Sequence, residues 1–240
     1  MEKFNFALFA GHLAIYLFVW VFAITAHGAV TAWMSNRFGD DTARNEDRIS
    51  FNPFVQVDLI GTIILPVIGF VFGWLNPGGG IPMIAWGKRV PIDSEKWRNP
   101  KLAAVSVALA STFASISIAL IAFILLKLLF VSGAADVESF TRLLMQRNFS
   151  DEVSWLAPIE LILWYGLILN IALAVYSLIP FPPFSGGAAL SALLPTSFKP
   201  LFNFFERYGL IFGLLLIYSG VIGFVLRPVF YFVIYLLGLS

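Results

Sequence analysis

The chain has 240 residues, of which 59% are apolar and 12% charged, with a formal net charge of +1 and no cysteine. A soluble domain carries about a quarter charged residues, so the composition excludes a water-soluble globular protein and predicts an all-α polytopic membrane protein. The near-neutral charge excludes a basic field for nucleic acid, and the lack of cysteine excludes disulfides, thiolate metal sites and cysteine nucleophiles.

Five apolar blocks follow in chain order, at about 4–35, 54–75, 102–131, 156–179 and 208–238. As helices, each is long enough to cross ~30 Å of hydrocarbon, which predicts about five transmembrane helices. The first block outruns the apolar core of a secretory signal, roughly 7–15 residues, so it is expected to stay as a membrane helix. The last carries Arg227-Pro228 and reads either as one kinked helix or as a span plus a short interfacial segment. No internal repeat is visible, and residues 1–240 read as a single membrane domain.

If all five blocks span, the amino terminus, the 76–101 loop and the 180–207 stretch share one side. That side holds Lys3, Lys88, Arg89, Lys96, Arg98, Lys101, Lys199 and Arg207. The other holds Arg37, Arg44, Arg48, Arg142 and Arg147, with Asp136, Glu138, Asp151 and Glu152. The positive-inside rule then predicts a cytoplasmic amino terminus in a bacterial inner membrane. Gly69-x-x-x-Gly73, Ala110-x-x-x-Ala114, Ser111-x-x-x-Ser115 and Gly209-x-x-x-Gly213 are small-residue patterns that let helices approach closely, here expected within one chain.

Several ordered blocks carry a family resemblance. Ala26-His27-Gly28-Ala29-Val30-Thr31 lies in the first apolar block. Gly39-Asp40-Asp41-Thr42-Ala43, Arg48-Ile49-Ser50-Phe51-Asn52-Pro53 and Gln56-Val57-Asp58-Leu59-Ile60-Gly61-Thr62 follow. Then come Trp86-Gly87-Lys88-Arg89-Val90-Pro91, Asn99-Pro100-Lys101, and Asn170 leading into Ser177-Leu178-Ile179-Pro180-Phe181-Pro182-Pro183-Phe184-Ser185-Gly186-Gly187. In order and spacing this series resembles the site-2 protease family, in its compact bacterial form without a PDZ domain. The resemblance implies a membrane-embedded helical core, a zinc site between the His-motif helix and the Asp-Gly segment, and substrates that are membrane helices. It also implies a groove for the extended substrate, with Asn52, Pro53, Asn170, Gly186 and Gly187 as candidates.

The chemistry of that family is not spelled by these residues. Zinc hydrolysis needs three protein ligands, an open position for water, and a base. The helical signature His-Glu-x-x-His would put two histidines on one face, and an aspartate before Gly-Gly would complete the set. Here the four positions read His27, Gly28, Thr31 and Ser185. The polar helpers differ too, with Ser115 and Ser177 where the family has asparagine and Gln56 where it has histidine. His12 stands 15 residues before His27, roughly 22 Å along a helix, and cannot share an ion with it. Asp58 and Glu160 are the acids near membrane segments that could approach.

The expectation is therefore a catalytically inactive pseudoprotease with vestigial positions His27, Gly28, Thr31 and Ser185, no catalytic residue, no metal ligand set and no cofactor. It would act as a binding or scaffold subunit of a larger membrane assembly, with membrane proteins and lipids as partners, nucleic acid excluded, and a hetero-oligomer possible. The rival readings are an active intramembrane zinc metalloprotease and a small-molecule or ion pathway in which His27 titrates. His27 itself is expected to be hydrogen-bonded to Thr31, Ser185 or a backbone carbonyl. Lys127 is expected to snorkel to the interface and Glu160 to be interfacial. Lys88, Arg89 and Arg227 are the candidates for a lipid headgroup or an acidic partner.

Overall fold

The computed structural model describes residues 5–75, 85–145, 155–182 and 184–239. Lys3, Arg147, Asp151, Glu152 and Pro183 lie outside the described residues. Helix α1 (Phe6–Arg37) is followed by two short helices, α2 (Thr42–Asn45) and α3 (Pro53–Gln56). A π-helical turn, Leu59–Ile64, runs into α4 (Leu65–Leu75). Then come α5 (Pro100–Val131), α6 (Val137–Met145), α7 (Ala157–Ser177), α8 (Ser185–Leu193), α9 (Lys199–Tyr218) and α10 (Val221–Leu237). Apart from two short 3-10 turns, every regular element among the described residues belongs to this helical series.

Local chemistry fixes the ends of the long helices. Asn5 caps α1 by accepting from the Leu8 amide, and Asn99 caps α5 by accepting from the Leu102 amide, with Pro100 in the first turn. Helices α1, α5 and α7 are each long and apolar enough to cross a membrane. They pack on one another to form the core. The inner face of α5 is built of small residues, including Ala103, Ala110, Ser111, Ser115, Ala119 and Ala122, all buried. That is what lets α1 and α7 come close. The opposite face presents Phe113, 64% exposed, and Ile121, 58% exposed, and α10 presents Phe224 at 80%. Aromatic and aliphatic surface on this scale has lipid, not water, as its solvent. The chain is an all-α polytopic integral membrane protein.

The side assignments made from the five blocks are corrected. The 36–53 segment and the 85–101 segment pack on each other. The Asp93 amide donates to Asp40, Trp97 Nε1 donates to Ser35, Lys96 pairs with Asp41 at 2.9 Å, and the Arg98 amide donates to the Phe38 carbonyl. Arg48 donates to the Lys88 carbonyl. So Arg37, Arg44 and Arg48 share one end of the molecule with Lys88, Arg89, Lys96 and Arg98. The 54–75 block begins at that same end. Its helical part, Leu59–Leu75, runs back along α1, with Trp74 packed on Phe9 and His12. The chain then returns, with the Trp86 amide on the Gly61 carbonyl and the Lys88 amide on the Gln56 carbonyl. The opposite end is marked by Leu8, Leu126, Phe140 and Leu237, which form one buried cluster. The start of α1 lies there, away from the 85–101 segment.

The last block divides at Ser219-Gly220, where Gly220 adopts φ +77°, and Pro228 is carried inside α10. One side-chain expectation also changes. Glu160 is 3% exposed in the first turn of α7, because α6 folds over that turn and contributes Phe140 and Leu143 to the core shared with Ala157 and Leu161. Lys127 donates from Nζ to the Leu237 carbonyl at 3.4 Å, supplying a donor to the end of α10.

Candidate functional site

One cleft of about 1330 Å³ brings together His27, Gly28 and Thr31 of α1, Ser177 of α7 and Ser185 of α8. Positions 27 and 31 share a helix face at i, i+4 spacing. The 181–182 turn stands just before Ser185, which comes from a point more than 150 residues further on. That turn is held unusually close to α8. A Cβ at Gly187 would lie 2.1 Å from the Phe181 carbonyl carbon, and one at Gly186 would lie 2.6 Å from the Leu178 oxygen. The glycine pair of the motif is therefore a packing requirement.

The other wall is Gln56, the last residue of α3 and 1% exposed. Its Nε2 donates to the Arg48 carbonyl at 2.7 Å, and its Oε1 accepts from the Arg48 guanidinium at 2.9 Å. This clamp aims the amide at Gly28, where an added Cβ would lie 2.4 Å from Gln56 Oε1 and 2.9 Å from its Cδ. The space into which a side chain at position 28 would project is filled by Gln56. Arg48 is itself 4% exposed and makes no ion pair among the described residues. Burial lowers its pKa, with Glu46 acting in the opposite direction.

The hydroxyl of Thr31 donates to the His27 carbonyl at 2.8 Å, an i−4 bond within α1. His27 Nδ1 is buried with no hydrogen-bond partner among the described residues, contrary to the expected bond to Thr31, Ser185 or a carbonyl. Asp58 accepts from the Gly61 amide at 2.6 Å and caps the π-helical turn. His12 is 3% exposed and pairs with Tyr165. Among the described residues no group of three or more His, Asp or Glu side chains is placed to share an ion. One imidazole, two hydroxyl side chains and a crowded glycine do not make a three-ligand zinc set.

Lys88 and Arg89 line the same cleft, whereas Arg227 stands exposed on α10 outside its lining. Asn52 caps α3 by accepting from the Phe54 amide, and Pro53 opens that helix. Asn170 is fully buried in α7, with its Nδ2 donating to the Gly166 carbonyl. Asn52, Pro53, Asn170, Gly186 and Gly187 lie around the cleft's supports and outside its lining.

No family model matches the chain, and no solved structure matches it. The chain is 30% identical over 208 residues to "Putative zinc metalloprotease YwhC" of Bacillus subtilis (strain 168), across 87% of this chain and 82% of that protein. The chain belongs to the site-2 protease family. In this site-2 protease homologue, the Gly39-Asp40 block has a role that motif reading did not assign. Asp40 is fully buried and accepts from the Thr42 amide at 2.9 Å, the Asp93 amide at 3.0 Å and Ser35 Oγ at 2.8 Å. It ties the segment that carries Lys88 and Arg89 to the end of α1. The available signal was an acid directly after a glycine, here Gly39 at φ +108°.

Burial raises the Asp40 pKa, but the bonds from Thr42, Asp93 and Ser35 outweigh it and hold the carboxyl below the ordinary aspartate value. The stability it contributes is fully present above that ordinary value and is lost as pH falls through the lowered one. Asp40→Asn is expected to cost about 3 kcal/mol, on the scale of hydrogen bonds to a charged group, and to remove the acid-sensitive part of the unfolding curve. Unfolding in detergent across pH checks this; a variant with an unchanged acid limb contradicts it.

Proposed function

We propose that this site-2 protease homologue binds without hydrolysing: a pseudoprotease that serves as a membrane-embedded binding or scaffold subunit of a larger membrane assembly, with no zinc cofactor. The observation that carries the reading is the Gln56 amide, clamped by Arg48, in the space that a side chain at position 28 would need. A base at position 28 would require the Gln56 amide to leave its clamp. The partners this predicts are membrane proteins engaged through their helices. The whole chain would work as one membrane domain.

The basic residues give the orientation within this proposal. Arg37, Arg44, Arg48, Lys88, Arg89, Lys96 and Arg98 lie at one end, joined by Lys199 and Arg207 at the cleft. The positive-inside rule makes that end cytoplasmic and puts the amino terminus on the far side of a bacterial inner membrane, the reverse of the block-by-block expectation.

The second reading is an active intramembrane metalloprotease, favoured by the relative's name. Co-expression with a panel of transmembrane reporters separates the two. The binding reading expects reporters to co-purify uncut, and equally so with His27→Ala. Chelator-sensitive cleavage lost in His27→Ala would establish the protease instead.

A further inference from the structure

The cleft has a charge pattern that hydrolysis does not require. Among its described lining residues, Lys88, Arg89, Lys199 and Arg207 are cationic, and none is Asp or Glu. These four come from two segments more than 100 residues apart, and all four are exposed at its mouth. Arg48, almost fully buried and donating to the Lys88 carbonyl, adds a fifth positive charge that makes no ion pair among the described residues, with Glu46 the acid that acts on it. Its Nε is buried and has no hydrogen-bond partner among them. Like charges gathered at a low-dielectric opening repel each other and focus a positive field into it. That cost is relieved by an anion.

The rest of the described lining mixes polar side chains such as Thr31, Gln56, Ser177 and Ser185 with apolar ones. Trp20, Ile24, Leu173, Phe184 and Phe202 give the cleft apolar walls. A peptide backbone inserted there would need partners for its amides and carbonyls, whereas an acyl chain needs none. A zwitterionic headgroup would bring an ammonium to a lining with no carboxylate among the described residues.

We propose that the cleft is a binding site for one anionic phospholipid, its phosphate among Lys88, Arg89, Lys199 and Arg207 and an acyl chain along the apolar walls. This names a ligand for the cleft and rests on the reading that the cleft binds without hydrolysing. The ligand would come from the leaflet facing the basic end, where anionic lipid is attracted at about 1 kcal/mol per cation.

The test is native mass spectrometry of the full chain released from nanodiscs of equal phosphatidylglycerol and phosphatidylcholine. One phosphatidylglycerol retained in preference to phosphatidylcholine is the expected result. Lys88→Gln with Arg89→Gln, and separately Lys199→Gln with Arg207→Gln, are each expected to weaken retention roughly 30-fold, from two cations at the cited scale. Ala188→Trp, at an exposed cleft-lining position of α8, is expected to displace the lipid without changing charge. Should that variant fail to fold, the paired glutamine variants carry the test by themselves. Equal retention of the two lipids overturns the proposal, as does retention unchanged in both glutamine pairs. Displacement by inorganic phosphate alone, or by an acidic peptide at lower concentration than the lipid, also overturns it. Zinc in the same preparation would end the non-hydrolytic reading while leaving the lipid result to stand or fall separately.

Discussion

Gly187→Ala is expected to destabilise the protein by about 3 kcal/mol or more, at the upper end of overpacking effects. The new Cβ would sit 2.1 Å from the Phe181 carbonyl carbon and 2.4 Å from the Pro182 nitrogen. Both are backbone atoms, so no rotamer change relieves the contact, and the 181–182 turn must move away from α8. Helix propensity alone would favour alanine by about 1 kcal/mol, which makes the sign of the effect diagnostic. Gly223→Ala in α10, with nothing within 4 Å of the added atom, is the control and is expected to be neutral or slightly stabilising. Because the chain has no cysteine, Ser185→Cys gives a single label at the cleft. Thiol labelling there is expected to speed up in the Gly187→Ala background. Unchanged stability and labelling would show that the close approach of the turn to α8 is not as described.

The second large effect lies at the other wall. Gly28→Ala is expected to cost about 2 kcal/mol, because Gln56 must leave a position held by two hydrogen bonds to Arg48. Gln56→Ala alone is expected to cost a similar amount, since it leaves a buried guanidinium short of an acceptor. Together they are expected to cost less than their sum by at least ~1 kcal/mol, the signature of residues that share one space. Additive costs in that cycle would contradict the contact. The same pair explains why Gly28→Glu is expected to be worse tolerated than Gly28→Ala while Gln56 remains.

Much of the architecture was legible in the apolar blocks, because length and composition decide which helices can cross a bilayer. The motif order also located the cleft, since His27, Gly28, Thr31 and Ser185 do meet there. What block reading missed was which segments fold together. The bonds that join Asp40 to Asp93, and Arg48 to Lys88, link residues 53 and 40 positions apart, and hydropathy carries no trace of them. For that reason the basic residues were divided between two sides. Glu160 was read as interfacial because its cover, α6, lies in a polar stretch outside the apolar blocks. The Gly28–Gln56 pairing was hidden for a different reason. The two positions stand in separate sequence blocks, and only the fold brings them into contact.

The central claim is that this scaffold no longer holds catalytic zinc. Elemental analysis of the full chain, purified in mild detergent without chelator, tests it directly. The account predicts substoichiometric zinc that does not change in His27→Ala. One zinc ion per chain, lost in His27→Ala, would contradict it.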